Sequence, residues 1–254
     1  MSVPPPAEAL GLQRMLVAGE DPRALAADVR AAGFTLVTSA PEVVLCHGGD
    51  GTLLRAERDW PGVPKVPARV GARARLSPEH QLPAILQRLR DGLLVRESLG
   101  KLELSVSGWR FLAMNDIVMR NESPATAVRF ALHAEGPDAA EVTGDGLVFA
   151  TPFGSTGYYR SITRSVVHAG LGIAFNNSTE PLAPVLVSGE RAVEVELLRG
   201  PAVLVHDNDV RALPLREGHR FSVRASAEQA VVLGLDALRC QTCLKMDGSR
   251  FNPH

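Results

Sequence analysis

The sequence predicts an α/β + β protein: an N-terminal α/β domain built on an open sheet, followed by an antiparallel β-sandwich-like domain. Three observations carry this expectation. Through residue 97, short apolar runs alternate with stretches of helical periodicity, the pattern of a sheet flanked by helices. From Ser98 the period changes to the two-residue alternation of half-buried strands, interrupted by turn residues. The length of 254 residues exceeds the ~150 typical of one domain.

In chain order, the segment from Pro22 to Ala32 reads as a helix closed by Gly33 at its C-terminal end. Before residue 40 no first strand is obvious. Phe34 to Thr38 and Val43 to His47 are apolar runs suited to buried parallel strands. Thr52 to Trp60 and Leu82 to Leu94 read as helices, the latter with Leu86, Leu89 and Leu93 at helical spacing. Residues 1–97 are therefore expected to form a Rossmann-like α/β domain. Lys101 to Val106 and Trp109 to Met114 flank Ser107-Gly108 as a hairpin. Five later runs (Ala192 to Leu198, Ala202 to His206, Val210 to Leu215, Arg220 to Ala225 and Ala230 to Leu235) complete a β-rich domain over 98–235. The tail 236–254 is too polar and short to stand alone, and is expected to pack back on the first domain.

Composition narrows the function classes. With 27 basic and 28 acidic residues the net charge is −1, which argues against nucleic-acid or anionic-membrane partners. No uninterrupted apolar window approaches the ~18 residues of a membrane span. The start, MSVPPPAEALGLQ, lacks the basic and apolar regions of a secretory leader, so a cytoplasmic address is expected. Three cysteines form no even framework, consistent with a reducing compartment. The only lysines are Lys65, Lys101 and Lys245, none in a P-loop context, so phosphate chemistry must use another device.

That device is legible at Val43-Val-Leu-Cys-His-Gly48-Gly49-Asp50-Gly51-Thr52-Leu53-Leu54, an apolar strand running through Gly-Gly-Asp-Gly-Thr into a helix. Glycines let backbone approach a ligand closely, and the N–H groups of the helix start form an anion site. An acidic residue there is poorly placed to touch phosphate, and fits better as a base or a magnesium contact beside it. His47 is expected to pack under this turn. A second signal, Gly144-Asp145-Gly146 through Thr151-Pro152-Phe153-Gly154-Ser155-Thr156-Gly157-Tyr158, ends a strand in a hydroxyl-rich loop. Tyr158 stacking and hydrogen bonds from Thr156 and Ser155 would suit a nucleoside. Asn115-Asp116, at a strand end, is by itself an everyday turn dipeptide.

Taken together, these stretches resemble the NAD kinase (ATP-NAD kinase) family. G48-G-D-G-T-L-L-R-A is similar to its first motif, and Asn115-Asp116 to its Asn-Glu pair with a shorter acid. D145-G-L-V-F-A-T-P-F-G-S-T-G-Y158 resembles its D-G-x-x-x-A-T-P-T-G-S-T-A-Y motif. The three occur in the family's order, and the resemblance covers about residues 40 to 235. It implies phosphorylation of the 2′-hydroxyl of the adenosine ribose of NAD by ATP or polyphosphate, with Mg2+ or another divalent cation. Asp50 would be the base. Gly51, Asn115, Asp116, Asp145, Thr156, Gly157, Tyr158 and Ser161 would bind NAD. Gly48, Gly49, Gly51, Thr52, Arg55 and Arg75 would hold the phosphate donor. A homodimer or homotetramer is implied as well. The rival readings are a non-catalytic NAD(P)-binding member and a lipid kinase of the same superfamily, which shares Gly-Gly-Asp-Gly-Thr.

The chain departs from the family in places. Where the family carries Gly-Ile-Asn-x-Gly-x-Leu-Gly-Phe-Leu, this chain has Pro67-Ala-Arg69-Val-Gly71-Ala-Arg-Ala-Arg75-Leu76, with arginines at the Asn and Phe positions. The His and Arg that the family tends to carry near Pro184 are absent before it. Cys240-Gln-Thr-Cys243, without a second pair or neighbouring histidines in sequence, is a weak signal for a zinc or redox site and is expected to be incidental.

Overall fold

The computed structural model describes residues 12–19, 23–69, 76–133, 139–188, 191–240 and 243. Its contacts divide the chain into two units, residues 1–98 with 230–254, and residues 99–229. No helix among the described residues is long and apolar enough to cross a membrane.

The first unit opens with β1 (Arg14–Gly19), a strand the sequence pattern did not reveal. Its signal is weak because only Met15 and Val17 alternate inward. There follow α1 (Ala26–Ala31), β2 (Thr35–Leu36), β3 (Val43–His47), α2 (Asp50–Asp59), β4 (Lys65–Ala68) and α3 (Leu82–Arg90). The strands pair in parallel in the order β2-β1-β3-β4. β3 is apolar and buried from Val43 to Cys46 because both faces are covered, as expected of an interior parallel strand. Val43 and Leu45 join Val29 of α1 and Ile85, Leu86 and Leu89 of α3 in one core. α3 stops at Arg90, short of the expected Leu94. Gly92 takes a positive φ of 67°, and Leu93 emerges exposed instead of completing the stripe. α2 is fastened at its C-terminal end by the buried Lys65, which donates to the Glu57 carboxylate and, at 2.6 Å, to the Trp60 carbonyl.

The second unit is a sandwich. Its elements are β5 (Arg96–Val106), β6 (Trp109–Ala113), β7 (Asp116–Asn121), β8 (Val128–His133), β9 (Ala140–Gly144), β10 (Gly146–Ala150), α4 (Tyr158–Thr163), β11 (Leu171–Asn176), β12 (Val185–Val187), β13 (Val193–Arg199), β14 (Ala202–His206), β15 (Leu213–Leu215) and β16 (Arg220–Leu233). The β5–β6 turn at Ser107-Gly108 has positive φ at both residues, 50° and 80°, as a two-residue hairpin of this twist requires. β16 is one continuous strand where the sequence pattern showed two, because residues 226–229 stay extended although mostly exposed. One antiparallel sheet runs β12-β11-β10-β7-β14-β15; the other layer holds β16-β13-β8-β9, with β5 beside β16 and β6. Ile117, Met119, Leu147 and Phe149 meet Phe130, Leu132, Val195, Leu197 and Phe221 in the shared core. Phe149 meets Phe221 edge-on at 6.3 Å. Every residue of β10 is buried: Leu147 and Phe149 face that core, while Val148 and Ala150 lie with Tyr159 of α4 and Val167.

The last residues of β16 belong to the first unit, where Val232 pairs in parallel with Lys65. The short helix α5 (Asp236–Arg239) follows, and the Leu238 carbonyl accepts a 2.8 Å bond from Arg69.

Candidate functional site

In the first unit, the glycine turn joins β3 to α2. A parallel sheet delivers its ligand crevice at the carboxyl ends of its strands, which is where this turn lies. Gly49 is the residue at the helix start, with no side-chain cap; the Thr52 N–H goes to the Gly49 carbonyl at 3.0 Å, so the Asp50 and Gly51 N–H groups are the ones left for an external acceptor. A side chain at Gly49 or Gly51 would meet nothing within 4 Å, so both border open space. Gly48 differs: its N–H is given to the Ala68 carbonyl at 2.8 Å, and a Cβ there would lie 2.1 Å from the Thr52 hydroxyl. Gly48 therefore shapes the turn while Gly49 and Gly51 open it. Asp50 is exposed on the first residue of α2.

Gly51, Thr52 and Arg55 line a cavity of about 580 Å³ with Gly19, Asp59 and Trp60. Gly19 takes φ 120° and leaves no room for a Cβ against the His47 carbonyl, so β1 ends flush against β3 at the cavity wall. Arg55 pairs with Asp59 at 3.4 Å and remains mostly exposed. Arg239 of α5 is lowered by burial and pushed back up by the charges of Asp50 and Glu97, which places its guanidinium within electrostatic reach of the turn. Arg75 lies outside the described residues.

In the second unit, Asn115 and Asp116 enter β7 beside the loop that leaves β10. The two segments are locked by backbone. Thr151 donates its hydroxyl to the Met114 carbonyl at 2.7 Å and its N–H to the Asn115 carbonyl at 3.1 Å. The Gly154 N–H returns to the Thr151 hydroxyl at 2.9 Å. A Cβ on Gly154 would sit 1.9 Å from the Asn115 carbonyl oxygen, so glycine is the residue that permits this approach. Thr156, Gly157 and Tyr158 then emerge consecutively exposed, with Gly157 close to the Asn115 amide. Ser161 is on the following turn of α4, its hydroxyl bonded to the Tyr158 carbonyl at 2.7 Å.

Ser155 corrects the expected division of labour in this loop. It is fully buried, and its hydroxyl donates to the Pro152 carbonyl and accepts the Val167 N–H, both at 2.9 Å. That hydroxyl holds the loop and is not presented to a ligand.

Asp207 is a residue that sequence reasoning missed. Its buried carboxylate accepts the N–H groups of Met114 and Asn115, each at 2.6 Å, and of Asp116 at 3.3 Å. It can do so because Asp207 and Asn208 both adopt positive φ, 45° and 55°, in the β14–β15 connection. Asp and Asn tolerate that region best among non-glycine residues, so His206-Asp-Asn-Asp209 carried a readable turn signal. Burial, and after it the neighbouring Asp207 carboxylate, push Asp116 up to about 7, against a hydrogen bond from Asn115 that favours ionisation.

Asp145 is not brought to this cluster within the chain. It sits in the β9–β10 turn, bonded to Asn177 at 2.7 Å and Asn121 at 3.4 Å. Because Gly146 pairs with Arg120 and Ala150 with Asp116, five strand residues, about 17 Å, separate it from the Asn115 end.

The comparisons with known proteins follow the same lines. Residues 114–235 match the ATP-NAD kinase C-terminal domain, a stretch that contains every second-unit feature just described. The NAD kinase of Sulfurisphaera tokodaii is 33% identical over 161 residues, 61% of this chain and 63% of that one, so the chain spans under two thirds of that relative's length. An NAD kinase from Archaeoglobus fulgidus, solved in complex with ATP, superposes with a TM-score of 0.72 at 20% identity, over 92% of this chain and 99% of that one. The yeast NADH kinase complexed with NADH gives 0.73 at 16% identity, over 96% and 89%. At these identities the two solved structures establish the fold, and the sequence matches tie residues 114–235 to the ATP-NAD kinase C-terminal domain.

Proposed function

We propose that the protein is an NAD kinase, converting NAD and ATP to NADP and ADP. The observation that carries this is the pairing, inside the matched domain, of Asn115-Asp116 with the exposed Thr156-Gly157-Tyr158 surface, both held in place by Asp207 and Thr151. Donors and acceptors of that kind, with one aromatic ring, suit a nucleoside. The Archaeoglobus relative was solved with ATP and the yeast relative with NADH, which supports a nucleotide donor and a dinucleotide acceptor here.

In this reading the Asp50 carboxylate takes the proton from the ribose 2′-hydroxyl as the oxygen bonds to the terminal phosphorus. The bond from that phosphorus to the bridging oxygen breaks, and ADP leaves with the electron pair. A positioned carboxylate base contributes ~10²–10⁴ in rate. First-turn N–H groups of α2 and Arg55 would receive donor phosphates. Mg2+ suits the site chemically, because an exposed carboxylate beside phosphate oxygens is the hard oxygen set it prefers. Asp50 is the side chain that would meet it, and the ion would spread the charge on the donor's phosphates. A homodimer or homotetramer in the cytoplasm belongs to the same proposal, on family resemblance. The test is NADP formation by purified protein from NAD, Mg2+ and either ATP or polyphosphate. NADP should accumulate with at least one donor, and about 10²–10⁴-fold more slowly with Asp50→Asn. No NADP with either donor, alongside intact NAD binding, would leave a binding protein instead.

A further inference from the structure

Cys240 and Cys243 do not stand alone, contrary to the expectation from their spacing. The 3-10 turn Pro78–His80 brings His80 against them, across more than 150 residues of chain. A ring nitrogen of His80, Cys240 Sγ and Cys243 Sγ all lie within 4.8 Å of one another, and Nδ1 is 3.3 Å from the Cys243 sulfur. Zinc bonds of ~2.3 Å to sulfur and ~2.0 Å to nitrogen, at a tetrahedral angle, put N and S about 3.5 Å apart and two sulfurs about 3.8 Å apart. The His80–Cys243 separation is thus that of a coordination shell before any ion is added, and Cys240 lies within about 1 Å of that range. His80 and Cys243 are buried, and both cysteines are free thiols.

The surroundings are arranged as metal sites arrange them. Asp236 of α5 lies 2.9 Å from His80 Nε2. A proton held on Nε2 by that carboxylate leaves the Nδ1 lone pair directed at the sulfurs, the usual carboxylate–histidine–metal relay. Ser77 donates its N–H to the Cys243 sulfur at 3.4 Å, as thiolate ligands are commonly supported, and its hydroxyl lies 3.3 Å from that sulfur and 3.0 Å from His80 Nδ1. Two thiolates and an imidazole select a soft or borderline divalent ion over magnesium or calcium.

The geometry points to a zinc site in the first unit, formed by His80, Cys240 and Cys243 and oriented by Asp236. On binding, the two thiols release their protons to solvent, and the remaining coordination position is open to water. Binding clips α5 to the Pro78–His80 turn, and so fixes Leu238, whose carbonyl holds Arg69, and Arg239, which feels the charge of Asp50. This site stands apart from the phosphoryl-transfer reading and is tested without it.

The full chain, purified under reducing conditions without chelator, should retain about one zinc per chain by elemental analysis after dialysis. Cobalt(II) added after chelation should give a thiolate charge-transfer band together with tetrahedral d–d bands. Cys240→Ser, Cys243→Ser and His80→Ala should each lower zinc affinity at least about tenfold, while Cys46→Ser, at a buried thiol outside the cluster, keeps it. Chelation and cobalt replacement in the unaltered chain supply a readout that survives if a variant fails to fold. Zinc content below a tenth of an equivalent after loading would overturn the assignment. So would equal content in the unaltered chain and both cysteine variants, or a Cys240–Cys243 disulfide that on reduction gains no zinc affinity.

Discussion

The glycine turn of the first unit and the Asn115–Tyr158 surface of the second are built by opposite means. The turn is open: no side chain caps α2, nothing crowds Gly49 or Gly51, and Asp50 is exposed. The second surface is braced, with Asp207, Thr151 and Ser155 all buried and all spending polar atoms on backbone. The turn can therefore be changed at little cost in stability and great cost in chemistry, whereas the bracing residues touch stability first.

The sharpest way to break this comparison is Asp50→Asn. Turnover should fall by about 10²–10⁴, with NAD binding and melting temperature close to unchanged. A melting temperature that falls with activity would show Asp50 to be structural.

Asp207→Ala tests the other side. Three backbone N–H groups lose their acceptor in a buried position, so stability should fall by about 3–5 kcal/mol in a denaturant titration. A loss below about 1 kcal/mol would mean that water replaces the carboxylate without consequence.

Asp116 gives a pH signature. Its carboxyl is pushed from 3.8 up to about 7, so between these values the folded chain binds more protons than the unfolded one. Stability is then greatest below about pH 4, declines as pH rises towards 7, and is level above it. By linkage the total is on the order of 2–4 kcal/mol. Asp116→Asn should abolish this component and raise the melting temperature at pH 8 relative to the parent. An unaltered pH–stability profile in the variant would assign the dependence to another group.

The smallest effect is expected at Tyr158, which is exposed. Tyr158→Ala should weaken NAD binding by about 1–3 kcal/mol, taking base stacking on aromatic side chains as the guide. Phe at that position should restore most of it, and calorimetry of the three proteins reads the difference.

What was legible in the sequence follows from range. The glycine turn could be read because strand, glycines and helix start are contiguous, and their geometry is set locally. The change of period at Ser98 was legible for the same reason, since alternation is a property of neighbouring residues. Asp207 was hidden because its partners at Met114 to Asp116 lie more than 90 positions away, and a lone acid before Asn gives no sign of which N–H groups it will meet. His80 was hidden from Cys243 in the same way. Ser155 was misjudged because a hydroxyl in a polar loop looks alike whether it faces ligand or carbonyl, and only burial separates the two.

The Lys65–Glu57 pair has a consequence for how the glycine turn keeps its aim. Both groups are sealed from solvent, and Lys65 also grips the Trp60 carbonyl just past the end of α2. Rotating that helix about its axis, or sliding it along β4, would strand a charge in a medium that cannot solvate it. Replacing both partners with apolar side chains could preserve stability, yet would remove the key that admits a single rotational setting. The joint thus works as the shank of a gimbal locked at one angle. About 15 Å of helix away, at 1.5 Å per residue, the N–H groups and carboxylate of the turn inherit that angle.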